Sequence, residues 1–173
     1  MISLVESSHI AVPPDQIWRL FLEMDAHYAD WHPGHLSWRW LHGEPLAPGT
    51  IWFADEWVGP LRISSRFFVD HSDPEHFFAY RIGFPHSLGR AGGSFRFTPA
   101  ADGGCDLEQE VHFGFSTPVL GALIDWALAA VLPIGEFRRH MREEQANLPR
   151  LLASKAGKAD KDQPAHPLEA DLQ

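Results

Sequence analysis

The chain has 173 residues, a length that suits one domain with a single hydrophobic core. Its formal net charge of -9 argues against a nucleic-acid partner, because phosphate backbones are bound by basic surfaces. The single cysteine, Cys105, excludes an intrachain disulfide and a multi-cysteine metal site, and it favours a reducing, cytoplasmic location.

The apolar segments of the chain do not indicate a membrane protein. Residues 1–10 lack a basic segment followed by an apolar run, so no signal peptide is expected. The longest apolar run, Val119 to Ile134, contains Asp125 and Pro133 and falls short of the roughly 20 residues that a membrane span needs. We therefore expect no membrane partner.

The first forty residues predict a strand and two short helices. Ser3–Val12 alternates loosely between apolar and polar residues and ends at two prolines, which indicates a strand. Pro14 suits a first helical turn, and apolar residues follow at helical spacing as far as Met24. A second short helix is expected over Asp25–Asp30, before the breaker-rich residues 31–35.

The middle of the chain changes to the period of strands. Six strands are predicted between glycine- and proline-containing turns, over residues 36–41, 50–58, 61–69, 77–84, 92–98 and 106–115. The helical period returns over Thr117–Leu132 and again over Glu136–Ala153. Strands followed by a helix predict an α+β domain over residues 1–154, and the polar residues 155–173 predict a disordered tail.

This order of elements resembles the START/Bet v 1-like superfamily, also called SRPBCC or polyketide cyclase-like. The opening sequence V-E-S-S-H-I-A-V-P-P-D-Q-I-W-R-L-F is typical of that group, and the resemblance covers residues 1–154. It implies a helix-grip fold, in which a curved antiparallel sheet wraps around a long C-terminal helix with the ligand between them. The fold alone does not decide function, because it hosts carriers, cyclases and hydrolases.

The last predicted helix carries the clearest chemical signal. His140 and Glu144 are four residues apart and therefore share a helix face. That face also holds Phe137, Leu148 and Leu151, so the pair interrupts the apolar stripe that should meet the sheet. A buried imidazole and carboxylate are costly unless they bond each other or bind a metal, and the helix alone leaves both interpretations open.

Two further segments offer metal ligands. The sequence Trp31-His32-Pro33-Gly34-His35 places two histidines just before a strand. In the strand T-I-W-F-A-D-E-W-V, both faces are apolar, so either Asp55 or Glu56 is enclosed, and alternation does not choose between them. Histidine nitrogens with carboxylate oxygens form a donor set suited to zinc.

Three motifs together resemble the diacetylphloroglucinol and phloretin hydrolase family. They are Y-A-D-W-H-P-G-H, then E-W-V-G, then H-M-R-E-E-Q-A-N-L. These hydrolases are zinc enzymes that cleave a carbon–carbon bond between an acyl group and a phenolic ring. The resemblance implies the metal ligands His35, Glu56, His140 and Glu144, with His32 and Asp55 as the alternatives. It implies a substrate-binding role for Tyr28.

The resemblance predicts a metal-dependent hydrolase of a small acylated phenolic compound. His86, in the loop after a strand, is the candidate acid/base, and the expected pocket walls are the Val119 to Leu132 helix with Trp38, Trp40, Trp52, Trp57 and Phe67. The alternative functions are a metal-free carrier of a hydrophobic ligand and a polyketide cyclase-like enzyme. The expected partners are a small hydrophobic or phenolic ligand and, in a homodimer, a second copy of the chain.

Overall fold

The computed structural model describes residues 1–83, 90–114 and 132–161. Within these ranges the chain forms, in order, β1 (Ile2–Ile10), α1 (Pro14–Leu22), α2 (Met24–Trp31), β2 (His35–His42), β3 (Ile51–Val58), β4 (Leu61–Asp73), β5 (Phe77–Ile82), β6 (Gly92–Pro99), β7 (Cys105–Phe113) and α3 (Ile134–Lys161). The predicted loop around His86 and the predicted helix over Val119 to Leu132 lie outside the described residues, apart from Leu132 itself.

The strands form one curved antiparallel sheet in the order β1-β7-β6-β5-β4-β3-β2. β1 and β2 occupy the two edges, and α1 and α2 connect them. Because every connection among β2 to β7 is to a neighbouring strand, the sheet is a meander closed by β1. The predicted α+β class, with a curved sheet around a long C-terminal helix, is confirmed.

α1 and α2 cover one end of the sheet with aromatic residues. Phe21 on α1 contacts the rings of Trp31, Phe78, Phe95 and Phe97, with ring centroids 4.9 to 5.7 Å apart. Three of these four contacts are edge-on, an arrangement that the ring quadrupole favours. This cluster closes the interior at one end.

α3 buries the stripe that the sequence predicts. Phe137, Met141, Leu148 and Leu151 are buried on the face turned to the sheet. The helix continues to Lys161, so residues 155–161, which were expected to belong to the disordered tail, are helical. The segment is rich in alanine and lysine, which are strong helix formers and need no burial. Residues 162–173 lie outside the described residues.

A helix that spans a bilayer must be both long and predominantly apolar. None of the helices within the described ranges meets that requirement.

Candidate metal centre in an aromatic pocket

A cavity of about 90 Å³ lies between the inner face of the sheet and α3. Aromatic rings make up half of its lining: Phe21, Tyr28, Trp31, Trp38, Trp52, Phe67, Phe78, Tyr80, Phe95 and Phe137. Among the described residues that line it, the ionisable groups other than the two tyrosines are Glu56, His140 and Glu144. The cavity is small against the roughly 300 to 1,000 Å³ of common ligand sites, so it suits a single-ring compound.

The alternation of β3 assigns the two adjacent acids to opposite faces. Glu56 lines the cavity, together with Trp52, Ala54 and Val58 of the same strand. Asp55 turns outward and accepts two hydrogen bonds from Arg62, at 2.9 and 2.7 Å. Those bonds lower the pKa of Asp55, so its charge is already compensated. The structure therefore places Glu56, and not Asp55, at the site.

A β-bulge in β2 brings His35 to the same face. His35 pairs with Glu56 across the two strands, but the next paired residue is Ser37, opposite Asp55. Leu36 is thus an extra residue, and it is exposed. Because the bulge shifts the alternation by one residue, both His35 and Trp38 face inward, although they are three residues apart.

Four polar side chains from three elements converge at one end of the cavity. One ligand atom from each of His35, Glu56, His140 and Glu144 lies within 4.8 Å of all the others. The Nε2 atom of His35 is 3.0 Å from Oε1 of Glu144, 3.2 Å from Nε2 of His140 and 3.4 Å from Oε2 of Glu56. The Nε2 atom of His140 is 3.6 Å from each of the two carboxylates.

The hydrogen bonds around His35 fix which of its nitrogens faces the cluster. Its Nδ1 lies 3.0 Å from the backbone carbonyl of Tyr28, which can only accept, so Nδ1 carries the proton. In the neutral ring, Nε2 then points an unprotonated lone pair at Glu144 Oε1, 3.0 Å away. Two acceptors this close require a proton or a cation between them.

His32, the alternative ligand, is held in a different role. Its Nδ1 accepts the backbone N–H of Gly34 at 2.9 Å, so its Nε2 carries the proton and donates to Glu143 at 2.8 Å. Both ring nitrogens are therefore occupied by protein groups. The ring lies against His140, with centroids 4.0 Å apart, and one of its nitrogens lies within 4.8 Å of ligand atoms of His35 and His140, so His32 borders the cluster.

The charges of the cluster are strongly coupled. Burial disfavours the protonated form of His140, but Glu144 and Glu56 outweigh it and raise the pKa of His140 to about 10. Burial likewise opposes ionisation of Glu144, yet the neighbouring His140 and His35 hold its pKa well below its usual range. Two carboxylates and two imidazoles would be net-neutral around a divalent ion, so the donor set fits such an ion.

Two residues that the sequence did not single out support Glu144. Gln109 on β7 donates to Glu144 Oε2 at 2.7 Å, which leaves Oε1 for the cluster. Trp31 donates its indole N–H to the Glu144 backbone carbonyl at 2.8 Å. The sequence feature that could have identified Gln109 is its position as a polar residue on the otherwise apolar face of its strand.

Tyr28 is attached to the cluster rather than pointing freely into the cavity. Its hydroxyl donates to Glu56 Oε2 at 2.7 Å, and its ring stacks on His35 with centroids 3.9 Å apart. Burial and the nearby carboxylates of Glu56 and Glu144 raise the pKa of Tyr28 well above 10, so it remains a phenol. Its hydroxyl oxygen can still accept a hydrogen bond from a ligand.

The predicted pocket walls separate into three groups. Trp38, Trp52 and Phe67 line the cavity. Trp40 packs against Trp38 and Trp52 but does not line the cavity. Trp57 is wrong as a wall: it is 42% exposed on the outer face, where the guanidinium of Arg62 lies over its ring.

Solved structures with the same fold cover nearly the whole chain at low sequence identity. Protein TTHA0849 from Thermus thermophilus matches with a TM-score of 0.65 and 13% identity, over 90% of this chain and 99% of that one. A norcoclaurine synthase mutant from Thalictrum flavum, bound to a transition-state analogue, matches at 0.65 and 14%, over 90% and 96%. The Zhui aromatase/cyclase from Streptomyces sp. R1128 matches at 0.61 and 16%, over 92% and 95%.

At these identities the likeness is one of fold alone. No curated protein sequence matches the chain. The sequence profile of one family matches residues 1–152, which is most of the chain. The protein therefore belongs to the family described as polyketide cyclase/dehydrase and lipid transport.

Proposed function

We propose that the protein is a metal-dependent hydrolase that cleaves the bond between an acyl group and the ring of a small phenolic compound. The observation that carries the proposal is the convergence of His35, Glu56, His140 and Glu144 inside an aromatic pocket. Two nitrogen and two oxygen donors without a cysteine favour zinc, with manganese or iron as alternatives. The family description is compatible with catalysis but specifies no metal.

The bound ion would supply Lewis acidity for an acyl carbonyl and lower the pKa of a water molecule. The protein's own residues supply binding and proton transfer. Tyr28, as a neutral phenol, can accept a hydrogen bond from a ring hydroxyl while it holds Glu56. The aromatic walls exclude water and stack on the ring.

We assign the proton transfer of the proposed reaction to Glu56. Its side chain is 15% exposed, whereas those of His35, His140 and Glu144 are 0 to 8% exposed. In the overall reaction, water delivers hydroxide to the acyl carbon and a proton to the departing ring carbon. Glu56 would take that proton from water and pass it on. His86, outside the described residues, remains a proposed second acid/base.

Metal analysis tests the proposal directly. Protein purified without a histidine tag or chelator should contain about one equivalent of a divalent metal, and His140→Ala or Glu144→Ala should contain none. Asp55→Asn, on the outer face, should keep the metal and serves as the matched control. The loaded wild type should hydrolyse diacetylphloroglucinol, a single-ring compound, and both cluster variants should not.

A metal-free carrier or cyclase-like function is the second candidate, because the family description includes lipid transport. The apolar lining of the cavity would also suit a small hydrophobic ligand that needs no metal. Failure to bind zinc, manganese or iron at any concentration, together with tight binding of a hydrophobic ligand, would replace the hydrolase proposal with this one.

A further inference from the structure

The four ligand atoms of the cluster are spaced like the corners of a closed tetrahedral site. Five of the six separations among the ligand atoms of His35, Glu56, His140 and Glu144 are 3.0 to 3.6 Å. Zinc bonds of about 2.0–2.2 Å directed to the corners of a tetrahedron place the ligand atoms about 3.3–3.6 Å apart. Water can then reach the ion only as a fifth ligand or in place of one of the four.

The protein fixes Glu144 through the oxygen that does not face the histidines. Its Oε1 lies 3.0 Å from Nε2 of His35, whereas its Oε2 accepts a hydrogen bond from Gln109 at 2.7 Å. Trp31 donates to its backbone carbonyl at 2.8 Å, and its side chain is buried. The carboxylate of Glu144 is therefore anchored without involving the oxygen that would bind an ion.

Glu56, by contrast, is held through the same oxygen that faces the histidines. Its Oε2 is 3.4 Å from Nε2 of His35 and 3.6 Å from Nε2 of His140. The Tyr28 hydroxyl donates to this same atom at 2.7 Å, and none of the described residues donates to Oε1 of Glu56. A hydrogen bond to a carboxylate is stronger when the acceptor carries its full charge. Tyr28 therefore favours the state in which Glu56 has left the ion.

We propose that Tyr28 makes Glu56 the replaceable ligand of the metal centre: water takes the place of Glu56, while His35, His140 and Glu144 stay bound. Tyr28 is a positioning residue that keeps its hydrogen bond to the displaced carboxylate. The exchange breaks the bond between the ion and Oε2 of Glu56 and forms one to the water oxygen. The freed carboxylate can then accept a proton from that water. The inference rests on the proposed function in requiring a bound metal ion, but it does not require hydrolysis.

The donor set that remains and the burial of the two carboxylates both favour release of Glu56. Two histidines and one glutamate hold zinc in hydrolytic enzymes and leave the fourth position to water. The side chain of Glu56 is 15% exposed and lines the cavity, where Tyr28 still bonds it after release. Oε1 of Glu144 faces only the histidines, and a carboxylate without a partner is costly to bury.

X-ray absorption of the zinc-loaded wild type tests the exchange without any substitution. The probe is azide, a small anion that binds to zinc wherever a coordination position is available. If azide replaces Glu56, the ion keeps four nitrogen and oxygen neighbours, whereas azide that adds to a closed site gives five. We expect four neighbours both with and without azide. Five neighbours in the azide-bound wild type would contradict the inference.

Azide affinities of cobalt-loaded variants, followed by the visible absorption of cobalt, identify the ligand that leaves. Tyr28→Phe should weaken azide binding by roughly tenfold, because the displaced carboxylate loses its hydrogen bond. Glu56→Ala, at saturating cobalt, should bind azide more tightly than the wild type, and adding Tyr28→Phe to it should change nothing further. Tyr80→Phe is the matched control, because Tyr80 is the chain's other tyrosine, lines the cavity and makes no hydrogen bond to the cluster. It should leave azide affinity unchanged.

Wild-type azide affinity in Tyr28→Phe, or an equal loss in Tyr28→Phe and Tyr80→Phe, would overturn the inference. If Tyr28→Phe fails to fold, the neighbour count in the wild type decides. Hydrolysis assays separate the two proposals. The expected azide exchange without hydrolysis would reject the hydrolase and keep the replaceable ligand, whereas hydrolysis with five neighbours around zinc would do the reverse. A wild type that binds no metal would reject both.

Discussion

Both faces of the sheet carry acidic side chains, but the two faces differ in the groups that compensate the negative charge. On the outer face, Asp55 pairs with Arg62, and Asp70 accepts a hydrogen bond from Arg81 at 2.9 Å. On the inner face, Glu56 bonds a tyrosine and lies beside histidines. No arginine or lysine is among the described residues that line the cavity.

This difference determines what each face can do. An arginine is always charged, so the charges of Asp55 and Asp70 are compensated permanently. The inner acids are compensated by groups that can lose a proton, and a cation can take the place of that proton. The buried acids of the inner face therefore carry negative charge that a metal could neutralise.

The largest effect is expected when one charge is removed from either face of β3. Glu56→Gln should lower metal affinity by more than about 100-fold, because it removes an assigned ligand. Asp55→Asn should leave metal affinity unchanged and cost about 1 kcal/mol of stability or less, since Arg62 is exposed. Competition titration with a zinc indicator measures both. Equal affinity in the two variants would contradict the assignment.

The stability of the metal-free protein should depend on pH through the buried His140. The raised pKa of His140, about 10 against an ordinary 6.5, means that the folded state holds the proton more tightly. This stabilisation is complete below pH 6.5 and is lost as pH rises toward 10. The free energy of unfolding should fall by up to about 1.4 kcal/mol per pH unit in this window.

Denaturant titrations across the window measure that fall. Glu144→Gln should show a much shallower slope, because the largest attraction for the His140 proton is gone. Asp55→Asn should keep the wild-type slope. The prediction is wrong if the Glu144→Gln and wild-type slopes coincide.

An intermediate effect is expected at Gln109, which fixes Glu144 without facing the metal. Gln109→Leu should weaken metal binding by about 10- to 100-fold while leaving one equivalent at saturation. Glu108→Ala, one residue away on the exposed side of β7, is the control and should have no effect. Total loss of binding in Gln109→Leu would indicate that the whole site had collapsed.

The smallest effect is expected from the C-terminal turns of α3. Lys155 Nζ lies 2.6 Å from Glu23, but both side chains are partly exposed. Ending the chain after Ser154 should therefore cost about 1 kcal/mol or less, seen as a small change in melting temperature. A large drop would mean that residues beyond 154 bury apolar surface.

The order of elements could be predicted because it depends on local patterns. The shift from helical to alternating period marked the strands, and the stripe shared by Phe137, Leu148 and Leu151 correctly turned His140 and Glu144 inward. The end of α3 could not be predicted from a lack of apolar residues, since helix propensity alone continues a helix through residues 155–161.

The choice between neighbouring candidate metal ligands required the three-dimensional structure. Asp55 and Glu56 are adjacent in a strand whose two faces are both apolar. Only the orientation of the sheet toward α3 shows which of the two faces the cavity. His32 and His35 differ through the hydrogen bonds that occupy both nitrogens of His32. The support from Gln109 joins residues 35 positions apart, which no local pattern reveals.

The extra residue, Leu36, determines which residues of β2 face inward. Upstream of it the inward position falls on His35, and downstream it falls on Trp38 and Trp40. Removing this one exposed leucine would abolish the register shift between His35 and Ser37 and turn either the histidine or the tryptophans to solvent. A residue that touches neither the cavity nor its polar cluster therefore keeps the two halves of the site in register, and its presence matters more than the identity of its side chain.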